Sequence, residues 1–388
     1  MSLQKTFKGV NLGSWLLMEG YILGGANIAE SKFKSKFEKR YGKKELTRFE
    51  SLFRDNFITK QDFQRIALLG ANVIRVPFNY RLLEKSPYVY SRKGFGYLDK
   101  VFSWAKHYGL GVILDLHAAP GAQNCDWHAD SDGRALLWEK QARQNRTCAL
   151  WQKIADRFKD QPALVGYDVL NEPVLGSRST QTLKKFYQKV IKSIRTVDKK
   201  SIIFLEGDIW AQRIDFLTSL IQENIALSIH TYQPLNYTFN FTPFYQFPGK
   251  IDGIIWNKTR IHKYLEPYSK FSRKNKVRIF VGEFGINWRG GFWGEVNWLE
   301  AILKAFADFG FSYTYWTYKA VANQVFPDGL YQQVANCKYI NRQGPTHGWD
   351  TYLEHWKNDK KSIVNFWKTK NFVPNQKLIN TLRRFLKK

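Results

Sequence analysis

Ala163-Leu-Val-Gly-Tyr-Asp-Val-Leu-Asn-Glu-Pro173 is an apolar run that ends on a carboxylate, Glu172. Val277-Arg-Ile-Phe-Val-Gly-Glu-Phe-Gly285 repeats the arrangement with Glu283. Each reads as a buried strand. Strand interiors exclude unpaired carboxylates, because burying a lone charge is costly. Two strands that both end on glutamate therefore point to a shared site beyond their ends.

Working outward, six further strand-like segments flank these two. The full set is Phe7–Leu12, Asn72–Phe78, Gly111–Leu116, Leu164–Leu170, Ile202–Glu206, Ile225–His230, Arg278–Val281 and Ser312–Trp316. Several are continuous Val/Ile/Leu/Phe runs, as parallel strands covered on both faces require. Amphipathic helical stretches alternate with them: Lys60–Leu69, Leu98–Tyr108, Ala149–Phe158, Thr182–Thr196, Ile209–Leu220, Lys258–Phe271, Trp298–Phe309 and Asn375–Leu386. Eight strands alternating with helices predict a (β/α)8 barrel in one domain, residues 1–388. A doubly wound open sheet is second, and it lacks a Gly-x-Gly-x-x-Gly or Walker loop after any strand. Extra length is expected as loops at Leu16–Asn56, Ala118–Trp138, Gln233–Trp256 and Tyr318–Phe372, on the face where barrel enzymes carry their sites.

The chain has 388 residues, 44% hydrophobic, enough for a large core. Its 14 Trp, 20 Tyr and 29 Phe include more flat rings than a core needs, and rings in a cleft stack on sugars or bases. The net charge of +27 raises nucleic acid as a partner. The basic residues are scattered over helix faces, with denser stretches at Lys32 to Lys44 and at Arg383, Arg384, Lys387 and Lys388. This favours a solvated cationic surface without nucleic acid, and leaves room for contact with an anionic membrane or cell wall.

Cys125, Cys148 and Cys337 are too few for a disulfide framework, and are expected free or with at most one bridge. No run approaches the length of a membrane span. Met1 to Lys8 has no apolar signal region, so the chain reads as cytoplasmic or as a mature secreted form. The sequons at Asn145, Asn236, Asn240 and Asn257 matter only in a glycosylating host. Asp126, His128, Asp130 and Asp132 only loosely match a calcium loop and lack its downstream glutamate, so they read as a polar cleft loop. No metal or cofactor is expected.

The strand ends carry the chemistry. In order they deliver Glu19 beyond strand one, then Arg75, His117, Asn171 with Glu172, Glu206, His230 with Tyr232, Glu283, and Trp316. This ordered set resembles glycoside hydrolase family 5, the retaining TIM-barrel glycosidases, and does so from Gly9 to about Trp316. The resemblance implies hydrolysis by double displacement, with Glu172 as acid/base and Glu283 as nucleophile. It implies that Arg75 and Tyr232 hold Glu283 ionised and that Asn171 binds the sugar 2-hydroxyl. It also implies that His117 and His230 position the sugar, with Trp316 as the floor under the ring. The negative charge of Glu283 is expected to raise the proton affinity of Glu172. Glu206 has no place in the family pattern and reads as structural.

Gly13-Ser-Trp-Leu-Leu-Met-Glu19 and Asp115-Leu-His-Ala-Ala-Pro-Gly-Ala-Gln-Asn124 are similar to the fungal exo-β-1,3-glucanase branch. That likeness implies that Glu19 and Asn124, with Asp126 beside them, bind a terminal glucose and close the pocket. Leu235 stands where that branch would place an aromatic clamp, and the residues after Glu283 also differ. The acceptor therefore stays open among β-glucans, aryl or alkyl glucosides and a glycolipid. An endo-acting cellulase or mannanase of the same fold is the main alternative. A catalytically silent sugar-binding barrel and a nucleic-acid-binding protein are weaker ones.

Overall fold

The structure, a computed structural model, describes residues 6–334 and 352–387. All eight expected strands form, as β1 (Lys8–Asn11), β2 (Val73–Asn79), β3 (Gly111–Ala118), β4 (Leu164–Asp168), β5 (Ile202–Glu206), β6 (Ile225–His230), β7 (Arg278–Phe284) and β8 (Ser312–Tyr315). They pair in parallel, each with its sequence neighbour, and β1 closes on β8 in a complete barrel. The closure is tight. A Cβ on Gly9 would lie 1.8 Å from the Val73 carbonyl oxygen, so only glycine lets β1 approach β2 in this register.

Around the barrel run α1 (Glu30–Phe57), α2 (Lys60–Leu68), α3 (Arg92–Tyr108), α4 (Gln141–Phe158), α5 (Thr180–Arg195), α6 (Lys258–Asn275), α7 (Glu295–Phe309), α8 (Tyr352–Phe366) and α9 (Gln376–Leu386). Their inward faces follow helical spacing. In α5 the buried residues are Leu183, Phe186, Tyr187, Val190, Ile191 and Ile194. Thr59 and Asp62 form a capping box at the start of α2, and Gly109 ends α3 in the left-handed conformation.

Inside the barrel, Val73, Ile113, Phe204, Ala226 and Phe280 form a separate small core. The polar strand ends stand above that apolar plug, on the C-terminal face.

Three expectations are corrected. Leu16–Asn56 is not simply a loop, because it contains most of α1. The helix is broken only at Gly42 (φ 81°, ψ 161°) and buries Phe33, Phe37, Phe49, Phe53 and Phe57. These rings meet Tyr352 and Trp356 of α8 and Trp367 in an aromatic cluster. Tyr318–Phe372 likewise holds α8 and the strands Lys319–Val321 and Tyr331–Gln333, which join Val373–Pro374 in a small sheet. The expected helix Ile209–Leu220 is instead a left-handed turn followed by a 3₁₀ helix, Asp215–Leu220. Cys125 and Cys148 are free, and Cys337 lies outside the described residues. Among the described residues no helix is long and apolar enough to cross a membrane.

Candidate active site

Arg75 is the centre from which the site is built. It sits in β2, fully buried, with a guanidinium shared among five strand ends. Its Nε donates to Asp168 Oδ2 at 2.9 Å. Its Nη1 donates to Glu283 Oε1 at 2.7 Å and to Asn11 Oδ1 at 3.2 Å. Its Nη2 reaches Asn171 Oδ1 at 2.9 Å, Glu206 Oε1 at 3.1 Å and Asp115 Oδ2 at 3.2 Å. One cation thus faces four buried carboxyls. Burial pushes Asp115 up to about 8 and Asp168 well above its ordinary value, so part of the negative charge is held as carboxylic acid.

Glu283 ends β7 and is gripped at both oxygens. Oε1 takes the Arg75 bond, and Oε2 accepts from the Tyr232 hydroxyl at 2.9 Å. Gly282 precedes it beneath His230, whose Nε2 would lie 2.8 Å from any added Cβ. The two donors fix both oxygens in position.

Glu172 is held differently. Its backbone is left-handed, at φ 46°, a strained state for a non-glycine residue. Two side chains fix that turn: Glu206 Oε2 accepts from the Glu172 amide at 2.6 Å, and Asn124 Nδ2 donates to its carbonyl at 2.9 Å. The carboxyl lies between two imidazoles. Oε1 is 2.7 Å from His230 Nδ1, and Oε2 is 3.4 Å from His128 Nδ1. Each ring has a second carboxylate behind it. His230 Nε2 is 3.1 Å from Glu206 Oε1, and His128 Nε2 is 3.5 Å from Asp126 Oδ2.

Burial alone would lower His230, but Glu206, Glu283 and Glu172 around it raise its pKa well above the ordinary value. His128 follows the same logic and reaches about 9. Burial alone would raise Glu172. The His230 hydrogen bond and the charges of His230 and His128 outweigh it and hold the carboxyl at about 2. This departs from the sequence reading, which placed the proton on Glu172 because of Glu283. In the unliganded site the imidazoles carry the protons, and Glu172 is an anion.

One oxygen of Glu172 and one of Glu283 lie within 4.8 Å of each other, with His230 Nδ1 between them. These three groups could in principle hold a cation, but His230 Nδ1 is engaged with Glu172.

A cavity of about 310 Å³ opens above the pair, lined on its polar side by Glu19, His117, Asp126, His128, Glu172, His230, Tyr232 and Glu283. His117 Nδ1 bonds Asp115 Oδ2 at 2.7 Å, and burial holds its pKa down at about 3, so it is neutral. Its ring stacks on Trp316 at 5.4 Å, forming one wall. Glu19 is buried with Oε1 unpartnered, and burial raises it to about 8. The mouth is apolar, with Trp210, Leu235, Phe239, Phe326 and Pro327.

The structure brings together Glu19, Asp126, His117, Glu172, His230, Tyr232, Glu283 and Trp316 along the cavity, with Arg75 and Asn171 behind the wall. Asn124 is placed differently from expectation. Its amide is engaged with backbone, pinning the β3 loop to Glu172, and it does not line the cavity. Asp130 binds Asn79 and Arg81, and Asp132 binds Arg134, so neither acid turns toward the cavity. Sequence reasoning missed Tyr21, Trp127 and Trp210, and it saw His128 only as part of an acidic loop. Its place two residues beyond Asp126 is the only signal for it in the sequence, and the ring contact with Glu172 depends on how the loop folds.

Comparison with known proteins gives the family. A sequence model of cellulases (glycosyl hydrolase family 5) matches residues 35–321. A β-xylosidase of Phanerodontia chrysosporium is 30% identical over 72% of this chain, and the match covers 57% of that relative's length. Endoglucanase C of Acetivibrio thermocellus is 26% identical over 70% of this chain and 87% of its own. A probable glucan 1,3-β-glucosidase A of Aspergillus fumigatus is 32% identical over 51% of this chain, and the match spans about half of that protein, 49%. In fold, Cel5A of Thermotoga maritima superposes with a TM-score of 0.60 at 20% identity, covering 93% of this chain and 96% of its own. The carboxylate pair on a closed barrel and the family match across most of the chain lead to one conclusion: this chain belongs to glycosyl hydrolase family 5.

Proposed function

We propose that the chain is a retaining, exo-acting β-glucosidase that releases glucose from the end of a β-1,3-glucan or related β-glucoside. The observation that carries this reading is Glu19. It is a buried carboxyl with an unpartnered oxygen, and it lines the same cavity as the reactive pair. An unpaired buried acceptor is costly unless a ligand satisfies it, and a sugar hydroxyl does so. A pocket closed by Glu19 and the β3 loop holds one terminal sugar, whereas an endo-acting cleft must let the chain pass through.

In the proposed mechanism Glu283 attacks the anomeric carbon and Glu172 protonates the departing oxygen. The proton rests on His230 Nδ1, crosses 2.7 Å to Glu172 Oε1, and passes from that same oxygen to the departing glycosidic oxygen, which leaves His230 neutral and Glu172 an anion. Formation of the glycosyl ester removes the Glu283 charge. Glu172 then takes a proton from water, which attacks the ester and restores Glu283. Arg75 and Tyr232 each donate to one oxygen of the nucleophile and keep it aimed. Asn171 Oδ1 accepts from Arg75, and its Nδ2 lies 3.4 Å from His117 Nε2; in this reading substrate binding turns Nδ2 from His117 to the 2-hydroxyl. The paired rings of His117 and Trp316 support the sugar. Substrate-assisted strengthening of these contacts at the transition state is what accelerates the reaction.

Product sizing on β-1,3-, β-1,4- and β-1,6-linked oligoglucosides and mannan tests the reading. Glucose as the sole early product from a β-1,3-oligosaccharide is expected. A ladder of mixed oligomers would instead favour an endoglucanase, as in the Acetivibrio relative.

A further inference from the structure

Thirteen large apolar side chains are exposed among the described residues. Nine of them sit on the loops that follow β5, β6, β7 and β8: Ile209 and Trp210, then Leu235, Phe241, Phe244, Ile254 and Ile255, then Phe292, then Val325. Those four strands are consecutive neighbours in the barrel, so the nine residues line one arc of the mouth. The arc is physically joined. Asn236 and Tyr245 both bond Asp252, Phe247 bonds the Trp293 carbonyl, and Phe241 packs on Phe239 and Phe326.

Core pressure does not explain the exposure, because Phe244 is 80% and Phe292 83% accessible. Clustered exposure of this kind marks a contact surface. Sugar stacking accounts for aromatic rings beside the cavity, but Ile209, Leu235, Ile254, Ile255 and Val325 have no ring face to offer. The fold also bears a cost to present part of this lip. Ile209, Trp210 and Ala211 are three consecutive left-handed residues (φ 57°, 49° and 63°), a conformation that side-chain-bearing residues avoid.

Charge separates in the matching way. The chain carries +27, yet the stretch 231–257 contains only Lys250 and Asp252 as charged residues. Exposed Lys250 and Lys258 flank Ile254 and Ile255 in the chain, and Lys377 Nζ lies beside Gly291, next to Phe292, while Arg213 is paired with Asp215 at 3.3 Å. Apolar side chains projecting from a cationic surround are the pattern of a protein that lies on an anionic bilayer, its rings and aliphatic tips in the headgroup boundary.

We propose that this lip docks the barrel mouth on a lipid surface bearing anionic headgroups. Docking would set the cavity opening against the membrane, where glucosides with a lipid aglycone are presented. That last step rests on the glucosidase reading above, whereas docking itself does not.

The test is sedimentation of the full chain with phosphatidylcholine vesicles, with and without phosphatidylserine, at physiological salt. Three proteins are compared: the parent, Phe244→Ser/Ile254→Ser/Ile255→Ser, and the control Tyr88→Ser/Val89→Ser, an exposed apolar pair on the loop after β2. The parent and the control should bind the phosphatidylserine vesicles, and the lip variant should bind at least about tenfold more weakly. All three should hydrolyse a soluble aryl β-glucoside alike, which verifies that the variants fold. Equal binding by lip variant and parent would overturn the proposal. So would equal binding to vesicles lacking phosphatidylserine, or retention only on insoluble β-glucan. Vesicle binding by a parent that hydrolyses no glucoside would leave the docking standing and sink the glucosidase reading.

Discussion

Glu172 and Glu283 are the same residue type at the ends of two strands, a few ångström apart, yet they live in opposite surroundings. Glu283 is held by donors that keep their protons at neutral pH, a guanidinium and a phenol. Glu172 lies between two imidazoles, each with a carboxylate behind it. The first setting fixes a carboxyl in position, and the second stores protons within one hydrogen bond of a carboxylate. The difference in partners, rather than in the glutamates, assigns the two roles.

That contrast can be broken at several points. The largest effect is expected from Glu283→Gln, which keeps the shape and removes the nucleophile. Turnover of a β-glucoside should fall by about 10⁵-fold or more, with the unfolding midpoint little changed. A loss of less than a hundredfold would show that another group attacks.

Arg75→Met should affect both folding and activity. It leaves four buried carboxyls without their shared cation, and breaking such a cluster costs about 3–5 kcal/mol. Chemical denaturation would reveal this, and a stable Arg75→Met protein would contradict the central place given to the guanidinium.

Glu19→Gln separates function from stability. Burial raises the Glu19 pKa from about 4.5 to about 8, so the parent loses stability as pH climbs through that window. The glutamine variant should lose that pH dependence and unfold at a higher temperature above neutral pH. Its kcat/KM should drop about ten- to a hundredfold for want of the carboxyl's hydrogen bond to the sugar. An unchanged kcat/KM would remove Glu19 from the pocket.

The smallest effect is expected from Glu206→Gln, measured as a pH–rate profile. Glu206 is among the charges that raise His230, so its loss should bring the basic limb of kcat/KM to lower pH, with about a tenfold drop in kcat. A histidine whose folded pKa is raised stabilises the fold below its unfolded value of about 6.5, and that contribution fades as pH rises through the folded value. The variant should therefore lose most stability on the acid side. A profile identical to the parent's would mean that Glu206 only props up the backbone.

The barrel was readable from the chain because several strands are continuous apolar, β-branched-rich runs and the eight segments alternate with helices, most of them delivering a polar residue where they leave the barrel. Arg75, His117, Glu172, His230 and Glu283 could be placed for the same reason, since strand ends in a barrel converge whatever lies between them. The loops gave no such rule. In Lys32 to Lys44 the density of lysine hides the spacing of Phe33 and Phe37, so α1 read as irregular. Ile209–Leu220 has helical periodicity, but the mutual Asp208–Arg213 backbone pairing imposes a left-handed turn. His128 reaches Glu172, and Asn124 turns to the backbone, through tertiary folding of one loop. No periodicity in a single chain reveals that.

The assignment of roles is tested most directly by azide trapping. Glu172→Ala, incubated with an activated aryl β-glucoside and azide, should regain activity and yield β-glucosyl azide, because Glu283 still forms the glycosyl ester and azide attacks from the vacated face. Isolation of the α-azide from this variant, read from its anomeric proton coupling, would mean that Glu172 is the nucleophile and would reverse the account.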